Sequence, residues 1–250
     1  MNELSGKTAV ITGSSSGIGK AIAILFAKKG ANIILCSNSS IKEGNETLSY
    51  IKKEYNVEAE YYSVDLRKED QICQLFSCIE KKYKSIDILI NNAGRTFNVQ
   101  FDDITEESFI NDIKTNLLSS VLCCKYAIPL MKNENGWIVN TSSIRGFDYA
   151  GRPGIMGYCS AKSGVNSFTK NLAYKLAPKI FVNAIAPGFV HTGYIDKMDT
   201  ESVNAWLNDI PINRLITPEE IAEVYLLLST SKIFVGSIVS PDGGYGLLGR

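Results

Sequence analysis

An α/β fold built on a doubly wound, mainly parallel sheet of seven strands, with helices on both faces, is the architecture this sequence predicts. Three observations carry that expectation. Short apolar runs of strand length alternate with amphipathic stretches of helix length along the whole chain. The first apolar run meets a glycine-rich turn that opens a helix. No linker, internal repeat or low-complexity stretch divides the 250 residues, so residues 1–250 are expected to form one domain.

Composition narrows the function classes. The chain is 45% hydrophobic and 21% charged, and its 26 Lys and Arg balance 26 Asp and Glu. That balance gives no global electrostatic reason to bind nucleic acid or an anionic membrane. No apolar run approaches the ~18 residues of a membrane span, and the N-terminal stretch carries no apolar signal core. The six cysteines (Cys36, Cys73, Cys78, Cys123, Cys124 and Cys159) form no Cys-x-x-Cys pair, and the lone His191 completes no zinc site with them at a usual spacing. Free thiols in a reducing, cytoplasmic compartment are expected, and no metal site.

Thr8–Ala9–Val10–Ile11–Thr12 reads as a buried strand. Gly13–Ser14–Ser15–Ser16–Gly17–Ile18–Gly19 follows, then an amphipathic helix to about Lys29. Gly30 ends it, and Asn32–Ile33–Ile34–Leu35–Cys36 reads as a second strand. Strand, glycine turn, helix and strand make the βαβ unit of a Rossmann-type dinucleotide site. Gly13 permits the tight turn, Gly17 lets backbone approach a pyrophosphate, and Gly19 permits close helix–strand packing. Ser15, Ser16 and Ile18 complete the turn, where the helix N-terminus offers unpaired N–H groups and a positive dipole end to the anion. Ser37–Asn38–Ser39–Ser40 then stands where a carboxylate would bind an adenosine ribose and repel a 2′-phosphate. The nearest acid is Glu43, whereas Ser37, Asn38 and Ser39 can donate to a phosphate, with Lys42 nearby. NADPH is therefore the expected cofactor, with NADH as the alternative.

A helix over 46–55, a strand over 58–63 running into Val64–Asp65–Leu66, and a helix from Lys68–Glu69 to Tyr83 come next. Asp65 reads either as a cofactor contact or as a cap for that helix. Ile86–Asp87–Ile88–Leu89–Ile90 is a buried strand that enters Asn91–Asn92–Ala93–Gly94. Asn116 heads an apolar helix ending near Met131. Gly136–Trp137–Ile138–Val139–Asn140–Thr141 is the next strand, followed by Ser142–Ser143. The helix from Gly157 to Leu176 carries Tyr158 and Lys162 one turn apart on one face. An ammonium near a phenol favours the phenolate and brings the Tyr pKa down from ~10, making it a usable general acid/base. The sixth strand, Phe181–Ala186, leads into Pro187–Gly188–Phe189–Val190–His191–Thr192, where His191 reads as a loop residue rather than a catalyst. Residues 193–213, with Tyr194, Ile195, Met198 and Trp206 among acids, read as a lid over substrate. Thr217 and Glu220 form a capping box around Pro218, opening the last long helix. Ser237–Ser240 is the final strand before Pro241–Asp242–Gly243–Gly244.

The Gly-x-x-x-Gly-x-Gly turn after Thr12, the Asn-Asn-Ala-Gly turn, Tyr158-x-x-x-Lys162 with Ser143 before it, Pro187–Gly188 and Asp242–Gly243–Gly244 together resemble the short-chain dehydrogenase/reductase family. The resemblance runs along the whole chain. It implies an enzyme moving a hydride between a nicotinamide cofactor and a small carbonyl or secondary alcohol substrate. A ketone reductase similar to the 3-oxoacyl-acyl-carrier-protein reductases comes first. Dehydrogenation of a sugar, sterol or other secondary alcohol, or a non-catalytic dinucleotide-binding protein, are the alternatives. The resemblance implies Asn116, Ser143, Tyr158 and Lys162 as catalytic residues, with Asn116 interrupting regular helix bonding and helping to hold a water beside Lys162. Lys162 would also bind the nicotinamide ribose. Asp65 and Leu66 match the adenine site, and Asn92, Ala93 and Gly94 leave room for ribose and adenine while the Asn side chains tie the central strands. Pro187, Gly188 and the Val190 N–H match the carboxamide site, and Thr192 an amide or phosphate contact. The family's serine usually stands thirteen residues before its tyrosine; here Ser143 stands fifteen before Tyr158. This reads as a two-residue insertion in the loop 145–154. It leaves Ser142 open as the alternative to Ser143 and marks the loop as shaping the substrate pocket. Arg145 and Arg152 in that loop stay open between meeting an anionic substrate and simple solvation. Helices like 117–131 and 157–176 pair between subunits in the family, so a homo-oligomer, tetramer or dimer, is implied.

Overall fold

The first strand, β1 (Thr8–Thr12), is buried at every position, as a central parallel strand covered on both faces must be. The computed structural model describes residues 3–38, 40–193, 195 and 199–248. Among these, β1 is joined by β2 (Asn32–Ser37), β3 (Ala59–Ser63), β4 (Ile88–Asn91), β5 (Gly136–Thr141), β6 (Ile180–Ile185) and β7 (Ile238–Val239) in one sheet of order β3-β2-β1-β4-β5-β6-β7. Every pairing is parallel, so the expectation of a mainly parallel sheet is exceeded. Strand order reverses between β1 and β4, and the crevice beyond their carboxyl ends is where such a sheet binds ligands.

Helices cover both faces. α1 (Gly17–Lys28) and α8 (Pro218–Leu228) lie on one; α3 (Glu69–Tyr83), α5 (Ser119–Ala127) and α6 (Met156–Leu176) lie on the other. Successive residues of β1 feed opposite cores, as the two-residue period of a strand requires. Ala9 and Ile11 join Ile22, Phe26 and Tyr225, whereas Val10 joins Ile72, Phe76 and Cys124. The Thr217–Glu220 capping box is present in both directions, with Pro218 in the first turn. All six cysteines are free, and Cys36, Cys123 and Cys124 are buried. No helix of the described residues is long and apolar enough to cross a membrane.

Three helices depart from the sequence reading, one of them, Thr200–Asn208, within the segment 193–213 read as a lid. α2 (Ile41–Glu54) begins five residues before the expected 46, because its first turn is exposed and shows no apolar period. Gly44 in that turn looks like a breaker, but a Cβ there would sit 2.3 Å from the Tyr61 ring, so it is a close-approach glycine. α4 (Glu106–Ile113) was not expected at all. Its start signal is a Thr105–Ser108 capping box, with Ser in place of the usual Glu or Gln.

Candidate active site

The glycine turn takes its shape from local backbone demands. Gly13 and Gly17 adopt φ of 63° and 52°, which L side chains rarely do. A Cβ on Gly19 would meet the Gly13 carbonyl oxygen at 2.2 Å and Asn92 Nδ2 at 2.6 Å, so Gly19 lets α1 close onto the turn itself and onto the end of β4. Ser16 caps α1 with no side-chain hydrogen bond, and the first turn holds no acid. The leading N–H groups of α1 therefore face the crevice without a side-chain acceptor. Asn92 Nδ2 donates to the carbonyls of Thr12 and Gly13 at 3.0 and 3.2 Å, tying β4 to the turn. Asn91 donates to Asn140 Oδ1 at 2.9 Å, and Asn140 in turn to Thr169 on α6 at 3.0 Å. The expected tie between central strands is thus present, continued into the helix that bears Tyr158.

Asn116 sits in a π-helical turn, Lys114–Leu118, between α4 and α5. Its Nδ2 donates to the carbonyls of Arg95 (2.9 Å) and Asp112 (3.2 Å), and its Oδ1 accepts from Arg95 N–H at 2.9 Å. A side chain that occupies a helix carbonyl widens the local turn, which agrees with the expected break in helix bonding. A Cβ on Gly94 would stand 2.9 Å from Asn116 Oδ1 and 3.4 Å from Lys162 Nζ. Gly94 is therefore what lets the turn after β4 pass over this pair. Asp112 beside it is buried, and burial pushes its carboxyl up to about 6.

Lys162 is 2% exposed, and its Nζ donates to the Thr141 carbonyl at 2.7 Å. Burial lowers its pKa to about 8. Its ammonium lies 5.5 Å from the centre of the Tyr158 ring. The sequence reading expects Lys162 to bring Tyr158 down; the net direction is up. Burial raises the phenol, and what offsets it are hydrogen bonds with the Ser143 and Thr96 side chains and the charge of Arg145. The ammonium donates to the Thr141 carbonyl, and its own charge is disfavoured by burial.

The loop after β5 is locked to α6. Ser142 Oγ donates to the Lys162 carbonyl at 3.2 Å, and Ser163 and Asn166 both donate to the Gly146 carbonyl at 3.0 Å. Gly146 is needed here, since its Cβ would lie 2.9 Å from Lys162 backbone. Of the two serines, Ser143 meets Tyr158, while the Ser142 hydroxyl is taken by the helix.

Three chambers meet along the crevice. One of about 420 Å³ is bounded by Ser15, Ser16, Ser37, Asn38, Asp65 and Leu66. It shares Gly13, Ser16, Ala93 and Gly94 with a chamber of about 500 Å³ that also holds Gly17, Ile18, Asn92, Lys162, Pro187 and Thr192. This second chamber shares Ser143, Tyr158, Gly188, Val190, Thr192 and Thr96 with a third, of about 370 Å³. Gly19 lines none of the three and acts through packing. The Ser37 hydroxyl is shared with Tyr61 at 2.9 Å, and Lys42 is paired with Glu46 at 4.0 Å rather than lining a chamber. Ser39, Tyr194 and Met198 lie outside the described residues. His191 is an exposed loop residue apart from these chambers.

Asp65 does not cap α3. It holds Arg67 in a fork, Nε to Oδ1 and Nη2 to Oδ2 both at 2.9 Å, and the Arg67 guanidinium holds the carboxyl below its usual range. Arg67 lines the 420 Å³ chamber. Sequence reasoning missed it, and missed Thr96, which reaches Tyr158. The only signal for Thr96 is its place two residues after Asn91–Asn92–Ala93–Gly94, where the chain crosses the crevice. α7 (Thr200–Asn208) covers the third chamber through Trp206, whose ring lies 4.8 Å from that of Phe189.

A dinucleotide fits this trench on structural grounds: an anion-ready helix end, glycine backbone at Gly13 and Gly94 lining both chambers, and a buried ammonium whose acceptor among the described residues is the Thr141 carbonyl.

Comparison with known proteins agrees. Residues 13–246 match the family model described as Enoyl-(Acyl carrier protein) reductase. The chain is 36% identical over 242 residues to the 3-oxoacyl-(acyl-carrier-protein) reductase FabG of Chlamydia trachomatis, covering 95% of this chain and 96% of that one. It is 32% identical over 253 residues to the glucose and ribitol dehydrogenase of Daucus carota, covering 97% and 86%. A crystal structure of a dehydrogenase/reductase from Sinorhizobium meliloti superposes with a TM-score of 0.91 at 27% identity, covering 98% of this chain and 96% of the other. The chain belongs to the short-chain dehydrogenase/reductase family and is an NAD(P)-dependent oxidoreductase acting on CH–OH or C=O groups.

Proposed function

We propose that the chain is a ketone reductase that uses NADPH, with residues 1–250 as one catalytic domain and Tyr158 as its general acid. The observation that carries this reading is the wall common to the second and third chambers. It brings Tyr158 and Ser143 to one place, with Lys162 and Asn116 behind them. When bound, the nicotinamide supplies the hydride that reaches the carbonyl carbon. Charge then develops on the carbonyl oxygen, and Tyr158 donates its proton there. A phenol raised by burial is protonated at neutral pH and ready to donate. The Ser143 hydroxyl positions the same oxygen. Ser143, Thr96 and Arg145 then stabilise the phenolate left behind. Lys162, with a pKa of about 8, is mostly charged at neutral pH and stands ready for ribose hydroxyls and for proton return through a water held by Asn116. Gly13, Ser15, Ser16, Gly17 and Ile18 would hold the pyrophosphate side; Asp65, Leu66, Ala93 and Gly94 the adenosine; and Pro187, Gly188, Val190 and Thr192 the nicotinamide.

NADPH is favoured by the absence of an acid in Ser37–Ser40 and by Arg67 in the chamber beside Ser37 and Asn38. Oxidation of a sugar or other secondary alcohol is the second reading, favoured by the likeness to the Daucus carota enzyme. A homo-oligomer is supported by exposed apolar residues on and beside the expected pairing helices, Leu118 at 37% and Met156 at 37%. The test is cofactor consumption with NADPH and NADH in parallel against 3-oxoacyl thioesters, keto sugars and cyclic ketones, and with the oxidised cofactors against secondary alcohols. Tyr158→Phe should bind cofactor normally and lose nearly all turnover. Near-normal turnover in that variant would refute the mechanism, and turnover with NADH alone would overturn the cofactor choice.

A further inference from the structure

The third chamber has a polarity that carbonyl reduction does not by itself require. Arg145 and Arg152 line it, and among the described residues no acidic side chain does. Arg145 is half-buried and rigidly held. Its Nη1 donates to the Ala150 carbonyl at 3.0 Å and to the Tyr245 hydroxyl at 3.4 Å. Its guanidinium carbon lies 5.7 Å from the centre of the Phe189 ring and 5.6 Å from that of Tyr245. Stacking on rings and one anchored nitrogen fix the plane of the fork and leave the Nε and Nη2 donors without a protein acceptor among the described residues. Arg152 is exposed, set over Trp206 of α7 at 5.9 Å, on the same chamber. A partly desolvated cation with no anionic partner is costly unless a ligand supplies the anion. A planar fork with free paired donors is suited to a carboxylate.

We infer that the chamber takes small carbonyl compounds that also carry a carboxylate, with Arg145 as the group that binds it and Arg152 as a second cation on the chamber wall. The inference rests on the reductase reading for where the carbonyl sits, since Ser143 and Tyr158 line the same chamber. The loop 145–154 folds back through the Arg145–Ala150 bond and carries both cations on the wall of this chamber.

The test uses Tyr158→Phe saturated with whichever nicotinamide cofactor it binds more tightly, so that affinity is read without turnover. Calorimetry would compare 3-oxobutanoate, 4-oxopentanoate and 5-oxohexanoate with their methyl esters, and with dihydroxyacetone phosphate. At least one acid should bind about tenfold or more tightly than its ester, as a charge-assisted fork implies. That preference should fall to near parity in Arg145→Gln and partly return in Arg145→Lys. Equal affinity for every acid and ester refutes the inference with no Arg145 variant needed. A preference that survives Arg145→Gln also refutes it, as does tighter binding of the phosphate than of every oxo acid. Failure of the reductase reading would show elsewhere, as undiminished turnover in Tyr158→Phe; the acid-to-ester ratio is then read with the oxidised cofactor bound, which cannot reduce the oxo compounds.

Discussion

Replacing Lys162 with Met should make the protein more stable at neutral pH while removing its activity. Lys162 is 2% exposed, and burial brings its pKa from 10.5 to about 8. Below about pH 8 the lysine is charged in both folded and unfolded chains, and the folded state bears the whole cost of burying that charge. At 1.36 kcal/mol per pH unit the cost is about 3 kcal/mol. Between about pH 8 and 10.5 the folded state gives up its proton first, so the wild type gains stability as pH rises, and above 10.5 the cost is gone. Met keeps the unbranched stem but forfeits the bond to the Thr141 carbonyl, a loss of about 1 kcal/mol. The net gain at pH 7 is about 2 kcal/mol, or about 4–8 °C in Tm for a chain of this size. Chemical denaturation of both proteins at pH 7, 8.5 and 10 would read it. The advantage of Lys162→Met should be largest at pH 7 and shrink towards pH 10. A destabilised variant at pH 7, or a difference that does not change with pH, would show that burial of this ammonium is not what sets its pKa.

Three further substitutions probe neighbouring parts of the site. Gly94→Ala places a methyl 2.9 Å from Asn116 Oδ1 and should cost about 1–3 kcal/mol in denaturant unfolding. It should also lower kcat at least about tenfold, and a wild-type kcat would refute the close-approach role. Asp112 is buried with its carboxyl pushed up to about 6, so the wild type loses stability as pH rises from about 4 to 6. Asp112→Asn should then gain on the order of 2 kcal/mol at pH 8 and clearly less at pH 5, and equal gains at both would contradict the assignment. Arg67→Gln removes the cation beside Ser37 and Asn38. It should raise the KM for NADPH about tenfold and leave the KM for NADH within about twofold; parallel changes in both would rule Arg67 out as the 2′-phosphate partner.

Features set by short stretches of chain were determined by the sequence alone. β1, β5, the helix carrying Tyr158 and Lys162, and the Thr217–Glu220 capping box are fixed by apolar runs, a four-residue helical spacing and a three-residue cap. The glycine turn was legible for the same reason, since positive φ at Gly13 and Gly17 is a local demand. α4 was not, because it is only eight residues long and its capping box has Ser108 in place of the usual Glu or Gln, and the first turn of α2 was not, because it is largely exposed. What only the tertiary structure decided depends on residues distant in the chain. Ser143 rather than Ser142 meets Tyr158 because Lys162, twenty residues on, takes the Ser142 hydroxyl at its carbonyl. Thr96 and Arg67 enter the crevice because the strand order reverses between β1 and β4. Tyr158 is raised and Lys162 lowered because both are buried, and burial is a property of everything packed around a side chain rather than of its neighbours in sequence.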